Sequence, residues 1–213
     1  MKIKSLKPPS FKSTQLDKKQ LNYLLSSTYK PNSQVGVIDN YVPDPTLSDN
    51  RVKVFHNKEK KHTVVAHRGS ASAGDWMENL LYLRNIKRGP NWTHSKEIQK
   101  KAEEKYGVSN LTTIGHSKGA LHAQEFGKKG DIVTLNKPVN LVDIFKKVPQ
   151  NQKDYRGEGD LVSILRPLQR GNKETVLTKG IRPLDRIKKA FKHPINVGLK
   201  EHGVETILRN EIY

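Results

Sequence analysis

Ile114-Gly115-His116-Ser117-Lys118-Gly119-Ala120 is the stretch on which the reading of this chain turns. Leu111-Thr112-Thr113-Ile114 just before it has the β-branched content of a short strand. Just after it, Ala120, Leu121, Ala123 and Phe126 have the spacing of a helix that Gly127 ends. A serine on a sharp strand-to-helix turn is lifted away from competing backbone groups. That turn brings strand and helix so close that the residues two before and two after the serine must be small. Gly-x-Ser-x-Gly is the trace of this crowding, and it nominates Ser117 as a nucleophile. An acyl-transfer intermediate also needs backbone N–H groups for its negative oxygen. The Lys118 amide is one, and its side chain is immaterial to that role. The second is expected from His67-Arg68-Gly69-Ser70-Ala71-Ser72, at the end of an earlier strand, with Ser70 as donor.

Working outward, Val52-Lys53-Val54-Phe55 and His62-Thr63-Val64-Val65-Ala66 flank the charged turn Asn57-Lys58-Glu59-Lys60-Lys61 and read as a β-hairpin. Helices are predicted over Leu16 to Ser27, Asp75 to Ile86 and Ser95 to Tyr106. In the last of these, Ser95 is taken as N-cap and Gly107 as C-cap. Pro31 to Asp49 reads as loop. Asp131 to Leu135 is a further strand. Strands are also expected near Tyr155 and at Thr175-Val176-Leu177, with short helices after Asp160, at Leu184 to Phe191 and at His202 to Leu208. Strands alternating with helices predict an α/β protein, a mostly parallel sheet flanked by helices; the Gly-x-Ser-x-Gly elbow between strand and helix points to an α/β-hydrolase core. Residues 1–14 are expected to form a basic extended arm, and 15–213 a single domain.

Composition narrows the options. The chain has 213 residues, enough to bury a substantial core, with 34% hydrophobic and 7% aromatic residues. Mean hydropathy is −0.74. No apolar run is long enough to span a bilayer, and the basic N-terminus lacks the apolar stretch of a signal peptide. Absence of cysteine excludes disulfides, thiolate metal sites and a cysteine nucleophile. No metal cluster or phosphate-binding glycine loop is evident, so no cofactor is expected. The net charge of +18, from 39 Lys and Arg against 21 Asp and Glu, points either to anionic partners (an acidic membrane surface, nucleic acid or a virion component) or to solubility alone. No aromatic-interleaved stripe accompanies the basic residues, so stacking on single-stranded nucleic acid is not indicated.

Val64-Val65-Ala66-His67-Arg68-Gly69-Ser70-Ala71-Ser72-Ala73-Gly74-Asp75-Trp76-Met77-Glu78-Asn79-Leu80 resembles the signature of the class 3 (fungal-type) lipases, in which a strand runs into Arg-Gly-Ser/Thr, a short loop, Asp-Trp and an Asn-Leu helix. The Gly-His-Ser-x-Gly elbow follows at the expected distance. The resemblance covers about residues 50–140 well. It is closest to compact lipase-like proteins of protists and large DNA viruses, which implies a cytoplasmic or virion-associated setting. It implies that Ser70 supplies part of the oxyanion hole beside the Lys118 amide, and that Asp75 and Trp76 are structural.

α/β-Hydrolases order their triad as serine, acid, histidine. Asp143, Asp154, Glu158, Asp160 and Asp185 all follow Ser117. Of the eight histidines, only His193 and His202 follow Asp160. The resemblance selects Asp160, within Gly157-Glu158-Gly159-Asp160-Leu161-Val162, with Glu158 and Asp154 in reserve. It also selects His202, in a loop leading to a terminal helix, over His193. The implied activity is hydrolysis of acylglycerol, phospholipid or other carboxylic esters through an acyl-enzyme on Ser117. Ile86 to His94, with Gly89-Pro90 and Trp92, is the only candidate lid. The competing expectation is a non-catalytic basic binding or structural protein that uses the hydrolase fold as scaffold. The oligomeric state is left open.

Overall fold

The hairpin forms where expected. β2 (Val52–Asn57) and β3 (His62–His67) pair antiparallel, with Val54 opposite Val65. Lys61 takes the positive φ, 49°, that so tight a connection requires, and the Asn57 side chain accepts from the Lys60 amide at 2.9 Å. The computed structural model describes residues 16–70, 90–139, 143–157, 166–171 and 174–177. The expected arm, the helices over Asp75 to Ile86, Leu184 to Phe191 and His202 to Leu208, and the short helix after Asp160 lie outside them.

A seven-stranded sheet runs in sequence order. β1 (Val42–Pro43) pairs antiparallel with β2, so part of the segment read as loop is an edge strand. Proline is tolerated there because an edge can forgo a ladder N–H. From β3 onward every pairing is parallel, through β4 (Leu111–His116), β5 (Asp131–Leu135), β6 (Gln152–Gly157) and β7 (Glu174–Leu177). The mostly parallel sheet flanked by helices is therefore as expected.

Period-two alternation sends side chains to two separate cores. On one face Phe55, Val64, Ala66, Ile114, Val133 and Leu135 pack with Leu21, Leu24 and Leu25 of α1 (Lys18–Ser27). Asp17 caps that helix, closing a capping box with Gln20. On the other face Val52, Val54, Val65 and Leu111 pack with Ile98 and Ala102 of α2 (Pro90–Tyr106). α3 (Lys118–Phe126) lies beside α2, where Trp92, His122 and Phe126 meet ring to ring.

One boundary differs from the sequence reading. α2 begins at Pro90, so Ser95 lies inside the helix, where it is buried with its hydroxyl 3.1 Å from His122 Nδ1. Proline opens a helix readily because first-turn N–H groups have no intrahelical partner. Gly107 ends the helix with φ 77°, as expected. The second half of the lid candidate, from Pro90 to His94, is thus the first part of α2.

Burial holds several histidines neutral. His62 is driven down to about 4 by burial and then by Lys60 and His56. His67 is driven to about 4 by burial, which outweighs its hydrogen bond to Gln99. His122 is driven to about 3 by burial and then by His67, Lys118 and Arg51. The unfolded chain takes up these protons below about pH 6.5, whereas the folded chain does so only at its depressed values. Stability is therefore fully present above pH 6.5 and is lost as pH falls toward 4, by at most about 1.4 kcal/mol per pH unit for each imidazole. Urea midpoints should drop clearly between pH 7 and pH 5. Unchanged midpoints would mean that the three rings are hydrated or already charged.

Candidate active site

In a parallel sheet the strand ends that carry ligand sites share one edge. At this edge lie His67, His116, Leu135 and Gly157, the last residues of β3 to β6. Ser117 stands between β4 and α3 with φ 54° and ψ −126°. A side chain avoids that region unless its surroundings compel it, at a cost of about 1–3 kcal/mol. Here the turn is held on both sides: the Ser117 N–H donates to Leu135 O at 3.0 Å, and its carbonyl accepts from the Ala120 N–H at 2.9 Å. Ser117 is 6% exposed.

The glycines around it show why this composition was needed. A Cβ on Gly115 would lie 2.2 Å from the Gly119 carbonyl oxygen. One on Gly119 would lie 2.2 Å from the His67 carbonyl oxygen. α3 is thus pressed onto the ends of both β3 and β4. Gly69 is equally tight: its Cβ would come within 3.1 Å of Ser117 Cβ and 2.8 Å of His116 O. The structure therefore brings Gly69, the chain neighbour of Arg68 and Ser70, directly against Ser117, and Lys118 follows as the first residue of α3.

Sequence reading missed Tyr29. It lies two residues past α1, and its Oη accepts from the Gly69 N–H at 3.1 Å. The same Oη is 2.8 Å from His116 Nδ1, within hydrogen-bond reach of the histidine that precedes the nucleophile. Burial pushes the phenol up to about 12 despite the Gly69 hydrogen bond and the Arg68 charge, so it remains a donor. Arg68 lies over the Tyr29 ring, 5.2 Å from its centre. No local motif announces a tyrosine 87 residues from its histidine partner. In Tyr29→Phe two polar groups lose this partner, and stability should fall by about 1–3 kcal/mol in urea titrations. Faster exchange of the Gly69 amide should accompany that loss. Unchanged stability and exchange would show that the bridge carries no weight.

Asn136 is a second residue that sequence reading passed over. With φ 49°, it donates its N–H to Tyr155 O at 2.9 Å, and its side-chain oxygen accepts from the Gly157 N–H at 2.8 Å. It ties the end of β6 to the end of β5, next to the carbonyl that holds Ser117. Chain leaving β6 toward Glu158-Gly159-Asp160 thus starts from the same edge as the elbow. Asp160, His202, Glu158 and His193 lie outside the described residues. Asp154 does not reach the edge: it is buried opposite Thr134 within the sheet and accepts from Thr134 Oγ1 and Gln152 Nε2. Among the described residues, no group of three or more His, Cys, Asp or Glu side chains could hold a metal ion. None of the described helices is long and apolar enough to cross a membrane.

No protein-family model matches the sequence, and neither does any curated protein. Solved structures do. The Lip2 lipase of Yarrowia lipolytica superposes with a TM-score of 0.50 at 16% identity, over 79% of this chain and 82% of that one. Rhizomucor miehei lipase, in its propeptide complex, gives 0.50 at 13% identity over 76% and 68%. A triacylglycerol lipase described as having a serine protease triad at its catalytic centre gives 0.50 at 13% over 78% and 82%. The likeness expected from the Arg-Gly-Ser and Gly-His-Ser-x-Gly stretches thus holds at the level of architecture, and the chain has the α/β-hydrolase fold of the fungal lipases.

Proposed function

We propose that this chain is a serine ester hydrolase acting on lipid carboxylic esters, acylglycerols or phospholipids, through an acyl-enzyme on Ser117. The observation that carries this reading is the strained φ of 54° at Ser117. No structural requirement for a serine there is evident, and the turn is maintained by glycines that tolerate no Cβ. Backbone strain held this firmly is a mark of functional sites.

In this mechanism Ser117 Oγ attacks the ester carbonyl carbon while its proton passes to the His202 imidazole, which Asp160 orients. The tetrahedral oxyanion accepts hydrogen bonds from the Lys118 and Ser70 amides and from the Ser70 hydroxyl. The carbon–oxygen bond to the alcohol then breaks, and His202 returns the proton to the leaving oxygen. Water, deprotonated by His202, attacks the acyl carbon; the bond to Ser117 Oγ then breaks as His202 returns the proton to that oxygen, releasing the acid and free Ser117. The structural neighbours described above are lipases, one of them a triacylglycerol lipase, in keeping with a lipid substrate. The +18 charge would draw the enzyme to anionic membranes, at about 1 kcal/mol for each basic residue near the surface.

A fluorophosphonate probe tests the reading. It should label the native protein at Ser117 and fail to label heat-denatured protein. Absence of labelling at neutral pH, combined with strongly salt-dependent binding to nucleic acid, would favour the scaffold reading that the same charge suggests.

A further inference from the structure

The backbones of three cationic residues on three elements meet beside the elbow. Arg51 precedes β2, Arg68 follows β3 and Lys118 opens α3. Backbone contacts bring them to one place. The Arg68 N–H donates to Arg51 O at 2.8 Å. The carbonyl carbon of Arg68 is 2.8 Å from where a Gly119 Cβ would stand, one residue beyond Lys118. A Cβ on Gly69, next to Arg68, would lie 3.1 Å from Ser117 Cβ. Lys53, fully buried, adds a fourth positive charge from β2, with its ammonium bonded to the neutral Asn32 side chain.

Among the described residues no ion pair neutralises Arg51, Arg68 or Lys118; the Arg68 guanidinium donates to Asn50 O at 3.0 Å and lies over the Tyr29 ring. Ion pairs among the described residues lie elsewhere, as in Lys100–Glu104, Lys105–Asp44, Lys129–Glu103 and Arg156–Glu174. Asp49 is a described carboxylate at this edge. It already accepts from the Arg51 and Val52 amides and contacts His94 Nε2. The Lys118 ammonium is held below its ordinary value first by burial and then by Arg51, as expected where like charges crowd. Arg68 likewise opposes the charge on Lys53, after burial and against the pull of Asp49. A field of one sign at the mouth of a cleft concentrates ligands of the opposite sign.

We propose that Arg51, Arg68 and Lys118 form an anion-binding subsite beside Ser117 that selects acyl esters carrying a phosphate or carboxylate close to the scissile bond. Guanidinium forks suit the paired oxygens of either group, and Lys118 adds a compact charge. The ester part of this assignment rests on Ser117 being the nucleophile; the anion subsite does not. A neutral triacylglycerol leaves these cations unmatched, so the preferred substrate differs in charge from the one named for a structural neighbour.

Calorimetric titration of the Ser117→Ala protein with octyl phosphate, octyl glucoside and inorganic phosphate tests the subsite without turnover. Octyl phosphate should bind at least about tenfold more tightly than either comparison compound at low salt, and the margin should shrink as salt rises. Adding Arg51→Gln and Lys118→Gln should remove most of it. Equal binding of octyl phosphate and octyl glucoside, or a margin unaffected by these changes, overturns the subsite. Inorganic phosphate binding as tightly as octyl phosphate overturns the ester assignment. With active protein, mono-4-nitrophenyl glutarate should exceed 4-nitrophenyl butyrate in kcat/KM, and Arg51→Gln should lower that ratio. If octyl phosphate binds as expected while neither ester is hydrolysed, the hydrolase reading fails and the subsite stands.

Discussion

Ser117→Ala should abolish fluorophosphonate labelling and lower ester hydrolysis by roughly 10³–10⁶-fold, while leaving the fold in place. The nucleophile acts as a unit with its base and acid. His202→Ala is therefore expected to be about as damaging, and Asp160→Asn to lose on the order of 10⁴-fold. Stability should follow a different logic. Alanine keeps the Cβ, so the strain at φ 54° remains and the urea midpoint should scarcely move. Ser117→Gly removes the Cβ and should be more stable than Ser117→Ala by about 1 kcal/mol, since glycine adopts this region freely. An inactive yet more stable glycine variant is the signature of a serine kept for chemistry at the expense of the fold. Labelling of Ser117→Ala at the native rate would place the nucleophile elsewhere.

Gly119→Ala should be the most disruptive of the small substitutions. Helix propensity alone favours alanine by about 1 kcal/mol. Close approach reverses the sign: the new Cβ would meet the His67 carbonyl oxygen at 2.2 Å, its carbonyl carbon at 2.7 Å and the Arg68 carbonyl carbon at 2.8 Å. All are backbone atoms, which no rotamer change can move. α3 must withdraw from β3, disturbing Ser117 and Gly69 together, and a loss of about 3 kcal/mol or more is expected. Gly107→Ala is the control. Gly107 has φ 77° but nothing within 4 Å of an added Cβ, so it should lose only the conformational term of about 1–2 kcal/mol. Urea midpoints of the two variants decide the matter. Equal losses would mean that the helix and strand are not in contact at Gly119.

The hairpin, the parallel succession from β3 to β7 and the elbow were legible because each rests on local chemistry. β-Branched runs make strands, apolar spacing makes helices, and a glycine on either side of a serine records a turn with no room for side chains. Boundaries were less legible where two local signals competed. Gly89-Pro90 reads equally as a break or as a helix start, and the choice of Ser95 as cap set the boundary too late. The edge strand Val42–Pro43 escaped notice because two residues cannot establish a pattern and only β2 makes them a strand.

Sequence by itself determined the fold class and nominated Ser117, Ser70, Lys118, Asp160 and His202. What only the tertiary structure decided concerns distance. Tyr29 became the link between Gly69 and His116, Asn136 tied the exit of β6 to the elbow edge, and Asp154 proved to be enclosed in the sheet. It also brought the backbones of Arg51, Arg68 and Lys118 beside one serine, although they are scattered along the chain. The physical reason is range. Strand, helix and turn preferences act over a few residues and are written in neighbouring letters. A hydrogen bond or a shared electrostatic field acts through space, and it joins residues whose separation along the chain carries no trace of the contact.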